Sequence, residues 1–364
     1  MISDKETLTW PVATMLALIL TCQSAHAEPY LAVQKGMQCS SCHSHPAGGG
    51  KRSVYGNVFA QTELAARRLG DGKLWTGEVR QWLSIGANLR ASFVDIDTPN
   101  RRGTSDTGFD RGTFYVEAAL IPNRLSLYID QQFAPDDIEN REAYLRLNSK
   151  NTKWFITVGQ FYLPYGLRLQ DDSAFVRQAT GINFANIDRG LQGGYNTGAW
   201  STIVSITDGS GAGRSGTSDQ LSLASSYVQP TWRAGFSANV INDDAGDRTM
   251  FGFFGGLRTG PVAWLAEFDG IRDDIAPGET INAFAGILEA NWTIRDTHNL
   301  KLSYDYLDPD NDIREDHQVR YSLIWEHSPI QFLQARVGYR LYDGIPQVDT
   351  QNRKVLFAEL HGFF

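Results

Sequence analysis

Cysteine is nearly absent from the 364 residues, with three in all. That is too few for a disulfide framework, and without a second cysteine pair the chain cannot supply the four ligands of a structural zinc site. Long apolar runs are missing too. From residue 81 onward no segment approaches the roughly 18 consecutive apolar residues that a helical membrane span requires. No acid–base pair or nucleophile constellation stands out, so a conventional enzyme is not expected. Gly209-Ser210-Gly211-Ala212-Gly213 lacks a following lysine or helix, which makes it a flexible loop and not a phosphate cradle. No nucleic acid is among the expected partners.

The N-terminus carries an export signature over residues 1–27. Lys5 precedes an apolar run from Val12 to Leu20, and Ala25-His26-Ala27 fits the small-x-small cleavage pattern, with the mature chain beginning near Glu28. The run is too short to cross a bilayer. A lipoprotein acylated at Cys22 fits poorly, because Thr21 is bulky for that cleavage. Removing the signal leaves two cysteines, in Met37-Gln38-Cys39-Ser40-Ser41-Cys42-His43. Cys-x-x-Cys-His is the pattern that attaches a c-type haem. Each thiol adds across one vinyl group, and the histidine next in sequence offers its imidazole to iron as the proximal ligand. A disulfide between Cys39 and Cys42 would not need His43, and a thioredoxin-like pair expects a βαβ context that is missing here.

Residues 28–80 read as a small helical haem segment. After His43 come His45, Pro46 and Gly48-Gly49-Gly50, a turn expected to pass close to something flat. Val54 to Leu69 shows helical spacing through Val58, Leu64 and Leu69. Few residues are available to bury, so haem is expected to serve as the core. The segment is expected to lean on the rest of the chain, in the mouth or lumen of the domain C-terminal to it.

Residues 81–364 alternate with period two. Leu300, Leu302, Tyr304 and Tyr306 are apolar between Lys301, Ser303 and Asp305; Val319, Tyr321, Leu323 and Trp325 flank Arg320 and Ser322. Leu333 to Leu341 and Leu125 to Asp130 repeat the pattern. Short turns (Ile121 to Arg124, Asn148 to Asn151, and bends at Pro230, Pro261 and Pro329) alternate with longer polar loops. Those loops run over Thr98 to Asp110, Ala134 to Arg141, Gly166 to Arg189, Asp208 to Asp219, Asn242 to Arg248, Arg272 to Thr280, Asp308 to Asp316 and Asp343 to Arg353. The spacing predicts an all-β fold, an antiparallel outer-membrane β-barrel of roughly sixteen strands. The last strand places Leu356, Ala358, Leu360 and Phe364 toward lipid, with Glu359 and His361 on the inner face.

Gly166 to Arg189 is the loop expected to fold into the lumen, carrying Arg168, Asp171, Asp172, Arg177, Asp188 and Arg189 with Phe175 and Phe184. Acidic outer loops (Asp136, Asp137 and Glu139; Asp243, Asp244 and Asp247; Asp273, Asp274 and Glu279; Asp308 to Asp316) would gather cations. Asp308 to Asp312 begins like a calcium loop, but Ile313 stands at the turn-glycine position and Val319 at that of the bidentate glutamate. For the distal haem face, Met37 and His45 lie too close to the motif, His298 falls in a turn and His327 on the outward face. His361, inward on the last strand, is the candidate.

Gln34, Gly36, Cys39, Cys42 and His43 match the Gln-x-Gly-x-x-Cys-x-x-Cys-His core of the fused cytochrome–porin family of outer-membrane iron oxidases, which this chain resembles over about ten residues and in architecture. Leu31-Ala32-Val33 departs from that family's usual Phe-Ala-Arg, and Lys35 replaces a threonine. Gly159 to Gly166 is similar to the strand end of phosphate-selective-type porins, just before their constriction loop. The resemblance implies one covalent haem c and an outer-membrane electron conduit. Its expected partners are outer-membrane lipid, periplasmic c-type cytochromes, an extracellular donor or acceptor such as ferrous iron, and further copies of the chain. A diffusion porin with a haem-bearing plug and a haem enzyme such as a peroxidase are the other readings.

Overall fold

The computed structural model describes residues 28–70, 72–135, 138–182, 187–210, 219–243, 246–276, 278–295 and 297–364. The export signature with Cys22, the loop residues Asp136, Asp137, Phe184 and Asp244, and Gly211 to Gly213 lie outside the described residues.

A short strand, β1 (Glu78–Arg80), leads into β2 (Leu83–Thr98) and pairs with it. The chain then runs through β3 (Arg101–Ile121), β4 (Leu125–Ala134), β5 (Glu139–Asn148), β6 (Trp154–Phe161), β7 (Asp188–Asn196) and β8 (Trp200–Thr207). It continues through β9 (Asp219–Val228), β10 (Trp232–Asn242), β11 (Arg248–Thr259), β12 (Val262–Ala276) and β13 (Glu279–Arg295). The last strands are β14 (His298–Asp308), β15 (Gln318–Ile330), β16 (Leu333–Asp343) and β17 (Lys354–Phe363). Each strand from β2 onward pairs antiparallel with the next, and β17 pairs back onto β2 from Lys354↔Asp97 to Phe363↔Asn88. Among the described residues, β2 to β17 therefore make a closed barrel of sixteen strands, the fold expected from the alternation. Closure leaves no sheet edge, which a bilayer demands.

The two faces sort as the alternation requires. Leu302, Tyr321, Leu323, Val337, Leu356 and Leu360 are exposed on the outside, while Lys301, Asp305, Arg320, Arg336, Glu359 and His361 are buried within. Exposed Trp154, Trp200, Trp232, Trp264, Trp292 and Trp325 all lie near the short-turn end, where their amphipathic rings form one girdle. Two stretches expected as loops are largely strand. Thr98 to Asp110 is a tight hairpin between β2 and β3, and Arg272 to Thr280 one between β12 and β13. Polar composition marks these residues as outside the lipid band, but the backbone ladder simply continues past it.

Among the described residues, three short α-helices lie off the sheet: α1 (Pro29–Lys35), α2 (Val54–Phe59) and α3 (Phe175–Thr180). Proline in the first turn of α1 and glycine at its end, Gly36, frame that helix. Ser53 caps α2 by accepting from the Gly56 N–H at 3.1 Å. Helix expected as far as Leu69 stops at Leu64, after a wider turn over Ala60–Leu64. There the Gln61 side chain ties the turn to the segment that follows: its Nε2 donates to the carbonyls of Asn57 and Trp75, and its Oε1 accepts the Trp75 N–H.

The loop carrying α3 folds into the lumen. Phe175 donates its N–H to Asp305, Leu167 donates to Glu267 at 2.7 Å, and Arg177 pairs with Glu267. Asp171 meets both Arg320 and Arg340 at 3.0 Å. Leu167, Leu169, Ala174 and Val176 of this loop join Tyr30 and Val33 of α1 in one apolar cluster on the inner wall of β11 to β13. The barrel is thus filled from both ends by two segments that meet.

Candidate functional site

Residues 28–70 occupy the short-turn mouth and are tied to the wall around much of its perimeter. Ser44 Oγ donates to Glu117, Lys51 Nζ pairs with Glu117 at 3.2 Å, and the Lys51 N–H donates to the Tyr128 hydroxyl. Farther round, Gln38 Nε2 donates to the Gly198 carbonyl, Arg258 donates to the Gln34 carbonyl at 2.7 Å, and Tyr30 donates to Glu326. The Ala66 N–H donates to the Ser328 carbonyl over the rim.

Within this mouth the Cys-x-x-Cys-His motif forms a tight turn. Cys39–Ser41 is a single 3-10 turn, and the amides of Cys42 and His43 both donate to the Cys39 carbonyl at 3.2 Å. The chain then doubles back. Ser44 and Lys51, and Ser53 and Cys42, join through backbone hydrogen bonds of 2.9 Å, with His43 opposite Arg52. Gly56 allows α2 to press on the motif: a Cβ there would lie 2.1 Å from the Cys42 carbonyl oxygen. Gly48, Gly49 and Gly50 take positive φ of 95°, 72° and 64°, as the turn expected there requires. A Cβ at Gly49 or Gly50 would meet the Arg168 guanidinium or the Tyr128 hydroxyl, so those two residues pass close to the barrel interior, while Gly48 lines the cavity beside the motif.

Cys39, Cys42 and His43 line that cavity, with about 1200 Å³ free of protein atoms including space open to solvent. Apolar side chains of Tyr30, Leu31, Met37, Phe59, Leu64 and Phe363 share its wall. His361 of β17 is in the lining as well, buried and with Nδ1 3.3 Å from Gln334 Oε1. Residues that parity assigns elsewhere also reach the cavity. His298 is the first residue of β14, not part of a turn, and its ring stacks on His327 with centroids 4.1 Å apart. Both line the cavity because the N-terminal segment passes over the rim where they sit. His45 is not in the lining; it docks on the wall with Nε2 3.6 Å from Glu142 Oε1. Met250 is buried in the aromatic cluster around Tyr128 and Tyr144.

The electrostatics suit a covalent haem. Both cysteines are free thiols. Burial pushes the Cys42 thiol up to about 11, so it is protonated at neutral pH. Burial, then the charges of Arg52 and Arg168, pushes His43 down to about 3, leaving a neutral imidazole whose lone pair is available to iron. Two open thiols, a neutral imidazole next to them and a second imidazole in the same lining are the donor set that a c-type haem uses. These residues fit the group.

The outer acidic loops are less concentrated than their composition suggests. Asp273 pairs with Arg248 and Asp274 with Arg272, and among the described residues no group of three or more His, Cys, Asp or Glu is placed to hold a metal ion.

No family model matches the chain, and no curated protein matches it in sequence. Solved structures do match. OmpT of Vibrio cholerae superposes with a TM-score of 0.62 at 12% identity over 79% of this chain and 99% of its own. An anion-selective porin from Comamonas acidovorans gives 0.63 at 9% identity, over 78% and 99%. The outer-membrane channel DcaP of Acinetobacter baumannii gives 0.58 at 12%, over 83% and 100%. The chain has the fold of an outer-membrane porin.

Proposed function

We propose that this chain is an outer-membrane barrel that carries one covalent haem c in its periplasmic mouth and serves one-electron transfer across that membrane. The observation that carries the reading is one cavity whose lining brings Cys39, Cys42, His43 and His361 together. Haem bound there supplies reversible one-electron exchange at iron. The chain's own residues do the rest. Cys39 and Cys42 would anchor the group, and neutral His43 and His361, the latter oriented by Gln334, would offer imidazole nitrogens to its iron. Phe59, Phe363 and Tyr30 give the lining an apolar part, which raises the weight of nearby charges.

The short-turn end, where both the segment and the C-terminus lie, corresponds to the periplasmic side of a porin barrel. Electrons would pass between an extracellular donor or acceptor, ferrous iron in the family the chain resembles, and c-type cytochromes in the periplasm. A diffusion porin with a haem-bearing plug is the second reading, favoured by the porins and channels among its structural neighbours. The filled lumen speaks for the conduit.

The test is haem staining on a denaturing gel for the native chain and for Cys39→Ala with Cys42→Ala, alongside single-channel conductance. The proposal expects stain only in the native chain, an inserted barrel in both, and little ion conductance from the native chain. Stain surviving in the double variant would overturn the attachment, and a native channel conducting like an open porin would favour the second reading.

A further inference from the structure

The bridge that sets Arg52 opposite His43 has a consequence for what the cavity can hold. Directly opposed residues of an antiparallel pair project to the same side, their Cβ atoms about 5 Å apart. Both side chains line the cavity, and the Arg52 guanidinium lies over the Phe363 ring, 3.9 Å from its centroid. Of the two Lys or Arg side chains in the lining, Lys35 is paired, with Glu63 at 3.1 Å. Arg52 has neither an ion pair nor a side-chain hydrogen bond among the described residues. Several buried arginines of the lumen do have a carboxylate: Arg90 meets Glu359, Arg177 meets Glu267, Arg320 meets Asp305 and Arg336 meets Glu326. A half-buried guanidinium in a largely apolar cavity wall, with no carboxylate at ion-pair distance, leaves room for an anion, and its planar fork suits a carboxylate. Cation–π contact with Phe363 holds the group in place without neutralising it.

We infer that Arg52 is the anion-binding residue of this cavity and that its partner is a propionate carboxylate of the haem held by Cys39 and Cys42. The inference rests on the haem reading above and adds to it the residue that fixes the cofactor's acidic edge. It also assigns Arg52 a share in setting the reduction potential, since a cation beside the haem favours the reduced state.

The experiment compares the native holoprotein with Arg52→Gln and Arg52→Lys by haem staining, an optical redox titration and resonance Raman spectroscopy. Arg52→Gln should keep its stain, shift the propionate bending band, and lower the midpoint by a tenfold or larger change in the reduction equilibrium, about 59 mV for one electron. Arg52→Lys should recover most of that shift. A stained Arg52→Gln protein with native midpoint and native propionate band overturns the inference while leaving the haem reading intact. A native chain without stain overturns both. Should Arg52→Gln fail to retain haem, Arg52→Lys decides: a stained protein with a near-native midpoint supports the charge, and loss of stain there too overturns it.

Discussion

Gly56→Ala probes how closely α2 is fitted to the Cys39–His43 turn. In an unconstrained helix the change should help, because alanine is favoured over glycine by about 1 kcal/mol. Here the added Cβ would lie 2.1 Å from the Cys42 carbonyl oxygen and 3.1 Å from the Cys42 Cα, so something must move by about 1 Å. Neither side can move freely. That carbonyl accepts the Ser53 N–H at 2.9 Å, and α2 is held from its other end by Asn57 and Gln61, which donate to the carbonyls of Thr76 and Trp75. Overpacking costs about 1–3 kcal/mol, and a strained or lost hydrogen bond adds about 1 kcal/mol. Set against the helix gain, the N-terminal segment should lose about 2 kcal/mol, the middle of the overpacking range. The barrel ladder makes no use of Gly56 and should be unaffected. The assay is haem per barrel together with the thermal midpoint of the Soret band, with gel mobility of the unheated protein reporting on the barrel. Gly108→Ala, which meets nothing within 4 Å, is the control. A Gly56→Ala protein with native haem content and a native midpoint would refute the reasoning.

Other perturbations separate the parts of the account. Deleting residues 28–75 should raise single-channel conductance, because these residues fill the mouth; unchanged conductance would contradict that placement. His361→Ala should convert a low-spin haem spectrum to a high-spin one, and a spectrum that stays low-spin would point to another group in the lining. Arg320→Ala leaves Asp305 buried without its partner, at a cost of about 3–5 kcal/mol, and should free the in-folded loop to proteases added outside; continued protection would mean the loop does not depend on this anchor. Burial raises Asp171, but Arg320 and Arg340 outweigh it and hold the carboxyl below its ordinary range. A depressed carboxylate contributes fully above its unfolded pKa, about 4, and that contribution is lost as pH falls further. The difference in loop protection between the native chain and Asp171→Asn should therefore be constant from neutral pH down to about 4 and shrink only below it; a difference that shrinks near pH 6 would contradict this assignment.

The barrel is legible in the sequence because each strand carries its own evidence. Lys301 and Asp305 inside, Leu302 and Tyr304 outside, is a pattern set by local alternation alone. What alternation cannot convey is where the ladder ends, so the polar hairpins between β2 and β3 and between β12 and β13 read as loops. The motif residues are legible from spacing, and His361 from parity on the last strand. His298, expected in a turn, and His327, expected on the outward face, line the cavity as well, because a segment lying across the rim can reach residues at strand ends from either side. The contacts of Arg52 with Phe363 and of Asp171 with Arg320 join residues far apart in sequence. Nothing local announces them. The Gly56 contact has a possible signal: glycine in the first turn of a capped helix, soon after a haem motif.

The central claim is that electrons cross the membrane through this chain by way of one haem. It is tested most directly in liposomes holding the purified protein, with ferrous iron outside and an impermeant acceptor trapped inside. The account predicts reduction of the trapped acceptor with the native chain and none with Cys39→Ala plus Cys42→Ala, at equal insertion and with no leak of the acceptor. A haem-loaded native chain that leaves the acceptor oxidised, or equal reduction by both proteins, would contradict it.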